Sequence, residues 1–253
     1  MLNTLPHDHI KPYKESAKSK KEQVAEMFDR IAGRYDFMNR FLSARTDIGW
    51  RKKAISLLKK DEPKNILDIA TGTADMAIRA YKMLNPDQIT GIDISTQMLE
   101  IGKKKVDKEG LAGKIRLQVG DSETINFGEN TFDAGMVAFG IRNFENLEKG
   151  LAEILRVLKP GGQLIILEFS KPKQPIRSFY NLYMGVIAPL IARWFNQNKE
   201  AYQYLCESAN AFPDRQKLVD ILNIIGYSDT HYKSLSLGIC CIYSGRKPVH
   251  SED

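Results

Sequence analysis

Asn65-Ile-Leu-Asp-Ile-Ala70 runs directly into Thr71-Gly-Thr-Ala-Asp75, and a helical stretch follows from Ala74 to Leu84. A short apolar run, a turn and a helix make the first half of a βαβ unit. The pattern repeats outward from there. Gln88 to Asp93 is a second strand and Thr96 to Lys108 a second helix; Lys114 to Val119 is a third strand and Thr131 to Ala138 a fourth. Asn146 to Leu158 reads as a helix closed by Lys159-Pro-Gly-Gly162, and Gln163 to Phe169 as a fifth strand. Strands this apolar, alternating with helices, predict a parallel sheet covered on both faces. Near the end, Tyr227 to Lys233 and Leu235 to Gly245 read as two adjacent strands joined by a tight turn, which adds one antiparallel strand. The expected fold is an α/β domain with a doubly wound, mostly parallel sheet. N-terminal helices precede it, with helical spacing in Val24 to Ile31 and Trp50 to Lys60, and a helical insertion rich in aromatics spans 175–225.

The chain has 253 residues, 43% of them apolar and 27% charged, which suits one large soluble domain. Residues 1–22 read as a basic, flexible tail and 23–253 as the single domain, with 23–60 a helical cover and 175–225 a lid. Cys206, Cys240 and Cys241 make neither a disulfide framework nor a zinc pattern. With no signal-peptide core and no apolar run of spanning length, a cytoplasmic protein is expected.

The formal charge of +6 favours anionic partners. The lysines between Lys11 and Lys21 are broken by Glu15, and no arginine block or aromatic-interleaved stripe follows, so nucleic-acid binding is not expected.

In an open parallel sheet, ligands bind beyond the carboxyl ends of the strands. The first loop, from Asp68 to Asp75, has Gly72 as its one glycine where a dinucleotide fingerprint needs three, and Asp75 at the helix entrance would repel a pyrophosphate. Asp68 and Asp75 instead suit a nucleoside with a cationic tail, such as S-adenosylmethionine. Asp93 ends the second strand, where an acid can accept both ribose hydroxyls. Asp121, followed by Ser122, ends the third and faces the adenine amino group in this reading. Each aspartate alone would more often be a cap or turn residue; four at successive entries to one cleft favour a ligand. Gly72, Thr73, Asp68, Asp93, Asp121 and Ser122 are therefore the expected cofactor contacts.

Asp68-Ile-Ala-Thr-Gly-Thr-Ala-Asp75 and Arg156-Val-Leu-Lys-Pro-Gly-Gly162 resemble the signatures of class I S-adenosylmethionine-dependent methyltransferases. Tyr35-Asp-Phe-Met-Asn-Arg-Phe-Leu-Ser43 with Trp50-Arg51, Ala138-Phe-Gly-Ile-Arg-Asn143, and Leu167-Glu-Phe-Ser-Lys-Pro172 are similar to motifs of the C-methyltransferases of menaquinone and ubiquinone biosynthesis. The likeness runs from Val24 to Lys247. Asp47 departs from it, standing where the family usually carries a histidine, and so does Ala138, where several members carry a serine.

The resemblance implies methylation of a polyprenyl quinol at a ring carbon, with demethylmenaquinol the first choice and 2-methoxy-6-polyprenyl-1,4-benzoquinol the alternative. Such chemistry needs an electron-rich ring, a donor or cation for the developing phenolate, and close positioning. It needs no metal, and His7, His9, His231 and His250 have no ligand spacing. Arg142 and Asn143, just past the fourth strand, are expected to clamp the quinol oxygen, and Tyr35, on the N-terminal helix that covers the cofactor, is the third expected catalytic residue. The apolar segment Phe179 to Phe195, interrupted by Pro189, is expected to accept the polyprenyl tail and to touch the membrane surface reversibly. A nucleic-acid methyltransferase is disfavoured because the loop after the fourth strand lacks the Asn/Asp-Pro-Pro-aromatic pattern. A non-catalytic cofactor-binding scaffold remains as an alternative of another class, and no sequence feature sets an oligomeric state.

Overall fold

The computed structural model describes residues 5–43, 45–172 and 199–249. Its seven strands form one sheet in the order β3-β2-β1-β4-β5-β7-β6. These are β1 (Asn65–Ile69), β2 (Gln88–Asp93), β3 (Ile115–Val119), β4 (Phe132–Ala138), β5 (Leu158–Phe169), β6 (Ser228–Leu235) and β7 (Cys240–Arg246). The first five are mutually parallel, and β7 runs antiparallel between β5 and β6. Because β1 pairs with β2 on one side and β4 on the other, the strand order reverses at β1, and a crevice opens there beyond the strand ends.

Seven helices accompany the sheet among the described residues: α1 (Lys20–Leu42), α2 (Thr46–Ser56), α3 (Asp75–Leu84), α4 (Thr96–Lys108), α5 (Leu147–Val157), α6 (Lys199–Ala211) and α7 (Gln216–Ile225). Local chemistry sets their starts. Ser19 and Glu22 form a capping box for α1, Ser95 accepts the Met98 N–H at the head of α4, and Asn146 accepts the Lys149 N–H at the head of α5. One face of the sheet buries Leu151, Ile154, Leu218 and Leu222 from α5 and α7. The other buries Trp50, Ala54, Ile55, Met76 and Ala80 from α2 and α3. A third cluster joins α1, α4 and α6 through Val24, Met27, Ile31, Met98, Ala201 and Tyr204.

Three expectations change. The segment read as a flexible tail is laid on the domain from Leu5 onward. Pro6–His9 form a turn, the His7 ring lies fully buried edge-on to Phe212 at 5.1 Å, and the Lys20 ammonium donates to the His7 carbonyl at 3.0 Å. Burial pushes His7 down to about 4 and Lys20 down to about 8. Pro160-Gly-Gly162, read as a loop after a helix, falls inside β5, where a register shift against β4 accommodates it. Finally, α7 belongs to the core and not to a lid, because Leu218, Val219, Ile221 and Leu222 are all buried against the main cluster. The apolar segment from Phe179 to Phe195 lies outside the described residues.

Candidate functional site

An open cavity sits over the ends of β1, β2, β3 and β4, at the carboxyl edge of the sheet where ligands of open α/β folds bind. Strand-end residues Ala70, Gly72, Asp93, Gly120, Asp121, Ser122, Ala138, Gly140 and Asn143 form its floor, and Lys21, Val24, Phe28 and Tyr35 of α1 form its roof. The loops that shape the floor are tightly specified. Ala70, Ala74 and Phe139 all hold positive φ, at 53°, 65° and 62°, and such non-glycine strain gathers at functional sites. Gly140 has no room for a side chain, since a Cβ there would come within 2.4 Å of the Ala70 Cβ. The β1 and β4 loops touch at that point.

Asp93 is the centre of the floor. One carboxylate oxygen accepts the Gly72 N–H at 2.7 Å and the other accepts the Ser95 N–H at 2.9 Å. Burial pushes its pKa up to about 6, against the pull of these backbone donors. Gly72, at φ +56°, turns its amide toward this carboxylate, and a Cβ at that position would meet nothing within 4 Å. Asp121 and Ser122 line the same cavity. Asp121 pairs with Lys21 Nζ at 2.5 Å and accepts the Glu123 N–H at 2.9 Å.

Two expected cofactor ligands lie elsewhere. Asp68 is fully buried behind the first loop, where it accepts the Thr71 hydroxyl at 2.6 Å. Its Oδ1 has no partner among the described residues, and burial pushes its pKa up to about 7. Thr73 is buried too, donating to Asp36 at 2.6 Å and receiving the Lys105 ammonium at 3.1 Å. Neither residue is on the cavity wall. Nor can Asp75 serve a cationic tail, because Arg40 (2.6 Å) and Lys105 already neutralise it. Burial raises its pKa, but Lys105, Arg51 and Arg40 outweigh that and hold the carboxylate below its usual range. Sequence reasoning missed this network, in which Asp36 and Arg40 of α1, Asp47 of α2 and Lys105 of α4 converge on the entrance of α3. Asp47 accepts from Arg40 at 2.6 Å and from Ser43 at 2.9 Å. It anchors the roof.

Arg142 also differs from expectation. Only 4% exposed, it donates to the Phe139 carbonyl at 3.0 Å and pairs with Glu168 at 2.6 Å, so it holds the β4 loop against β5 instead of lining the cavity. A guanidinium this deep requires a carboxylate partner, and Glu168, fully buried at the end of β5, supplies it. Burial nonetheless raises the Glu168 pKa. Asn143 and Tyr35 do reach the wall. Tyr35 packs edge-on to Phe28 at 5.8 Å, and burial raises its pKa. Asn143 accepts a hydrogen bond from the Tyr204 hydroxyl at 3.1 Å, a contact that no local motif announces across 61 residues. Among the described residues, no group of three or more His, Cys, Asp or Glu side chains is placed to hold a metal ion.

A seven-strand sheet with this order, and an acid closing β2 beside a glycine turn after β1, define the class I methyltransferase fold. Solved structures share the fold at low identity. The [4+2]-cyclase SpnF superposes with a TM-score of 0.65 at 17% identity, covering 91% of this chain and 97% of its own. A SAM-dependent methyltransferase from Thermotoga maritima gives 0.64 at 17%, covering 88% and 99%. A cyclase on this scaffold shows that fold alone does not choose a reaction. Sequence relatives are more specific. The chain is 43% identical over 243 residues to the demethylmenaquinone methyltransferase of Bacteroides fragilis, covering 96% of this chain and 99% of that one. It is 42% identical over 230 residues to the ubiquinone/menaquinone biosynthesis C-methyltransferase UbiE of Geotalea daltonii, covering 90% and 97%. The model of the ubiE/COQ5 methyltransferase family matches residues 16–247, and the chain belongs to that family.

Proposed function

We propose that this enzyme methylates a ring carbon of a polyprenyl quinol, with demethylmenaquinol as substrate and S-adenosylmethionine as methyl donor. The observation that carries the reading is the 43% identity, over 96% of the chain, to a demethylmenaquinone methyltransferase.

The cavity fits the donor. Asp93 accepts from the ribose hydroxyls, and Asp121 and Ser122 meet the adenine edge. Ile94, Met98 and Phe144 offer apolar flanks to the base, and the open turn at Gly72 leaves room for the methionine portion. When bound, S-adenosylmethionine supplies an electrophilic methyl on a sulfonium. The protein then has to present a ring carbon in line with that methyl and stabilise charge on a ring oxygen, and positioning supplies much of the rate. Asn143 and Tyr35, both on the wall, are the groups that hold the ring oxygen. Arg142 acts behind them by fixing the loop that carries Asn143.

The substrate's tail requires access to a lipid phase. Among the described residues no helix is long and apolar enough to cross a membrane, and we infer that the enzyme meets the bilayer reversibly and peripherally through the apolar sequence from Phe179 to Phe195. The test is incubation with labelled S-adenosylmethionine and each reduced quinone in turn. Demethylmenaquinol should gain the label fastest. Preferential labelling of the methoxybenzoquinol would move the enzyme to the ubiquinone branch, and labelling of neither would refute the proposal.

A further inference from the structure

The Tyr204 hydroxyl reaches Asn143 from α6, a helix of the insertion that is 61 residues away in sequence. Tyr204 is 2% exposed, and its ring is packed among Val24, Met27 and Ile31 of α1 and Met98 of α4. Packing accounts for the ring. It does not account for a hydroxyl aimed at the one side-chain amide on the cavity wall among the described residues.

An asparagine amide can turn either of two faces to a ligand, an NH₂ donor or a carbonyl acceptor, and only its hydrogen-bond partners decide which. Here Tyr204 donates to Asn143 Oδ1 at 3.1 Å. Phenol is a better donor than acceptor. With Oδ1 turned to Tyr204, the NH₂ group is the end of Asn143 that can donate to a ligand.

We propose that Tyr204 is a positioning residue for methyl transfer, its hydroxyl setting the Asn143 amide so that the NH₂ end donates to the substrate's ring oxygen. This rests on the reading of Asn143 as a substrate contact. A donor at that oxygen favours the phenolate over the phenol, and a flipped amide would favour the reverse. Because α6 brings the tyrosine, the amide is set only when this part of the insertion is seated on α1.

The test is a double-mutant cycle between Tyr204→Phe and Asn143→Ala, followed by turnover on demethylmenaquinol, S-adenosylmethionine affinity and melting temperature. Tyr204→Phe keeps the ring and its packing. It should lower kcat about tenfold, leave cofactor affinity within about twofold, and shift the acid limb of the kcat profile to higher pH, an effect that lost packing does not produce. In the Asn143→Ala background the same change should cost less than about twofold, because the group it orients is gone. Wild-type kcat in Tyr204→Phe, an unmoved pH limb, or an equal loss in both backgrounds would overturn the proposal for Tyr204. Wild-type kcat in Asn143→Ala would overturn the reading of Asn143 instead.

Discussion

Replacing Asp93 by alanine tests the cofactor floor most sharply, because the carboxylate joins β2 to two loops and faces an open cavity. In the free protein, its loss leaves the Gly72 and Ser95 amides without their partner, but water in an open cavity can replace it, so the fold should tolerate the change. In the complex, water cannot replace the two acceptors offered to the ribose. Losing a hydrogen bond to a charged group costs about 1.5–3 kcal/mol, which is a loss of about 10- to 150-fold in affinity. The native carboxylate adds a second signature. Its pKa stands at about 6 and the ionised form is the acceptor. Affinity should therefore be full well above that value and fall as pH drops through it, reaching about one-tenth by pH 5. Calorimetric titration of S-adenosylmethionine at pH 8 and pH 5 reads both effects. Wild-type affinity in a folded Asp93→Ala protein, together with a flat pH profile for the parent, would refute the assignment.

Other expectations follow from buried charge. Glu168→Ala strands the Arg142 guanidinium and should cost about 3–5 kcal/mol in chemical denaturation, whereas the double change Arg142→Met with Glu168→Leu should cost less than either single truncation; equal losses would mean the pair is not the reason for the cost. Asp68 keeps its proton to about pH 7 in the native state but loses it near 4 when unfolded, so its burial weakens the fold progressively as pH rises between those values. The melting temperature of Asp68→Asn should gain on the parent between pH 5 and pH 8, and parallel curves would contradict the buried position. Replacing Ile187 and Leu190 with glutamate should impair turnover of long-tailed quinols far more than of a tail-less ring analogue, and should weaken binding to anionic liposomes; equal impairment on both substrates would assign the segment to the core.

The sheet was legible because its signals are local. Short apolar or alternating runs, most of them followed by a turn and a helix, place every parallel strand to within a residue or two, apart from the β5 start. Asp93, Gly72, Asp121 and Ser122 were legible for the same reason, since strand ends face the crevice by topology. Asp68 and Asp75 were not. Their positions near the cleft are visible in the sequence, but whether each carboxylate is open depends on cations delivered from elsewhere: Arg40 across 35 residues and Lys105 across 30. Arg142 failed similarly. Its loop was located correctly, yet its charge is spent on Glu168, 26 residues away on the next strand. The Tyr204 contact and the burial of His7 are tertiary events with no periodic or motif signature. A residue's place in a βα loop is thus readable from the chain, and the direction of its side chain only where its partners are neighbours in sequence.

The most direct measurement supplies S-adenosylmethionine with a deuterated methyl group together with reduced demethylmenaquinol, then locates the label in the product by mass spectrometry and NMR. The account predicts one deuterated methyl on a quinol ring carbon for each S-adenosylhomocysteine released, and none when the quinone is kept oxidised. Label on a ring oxygen, or cofactor bound without any product, would contradict it.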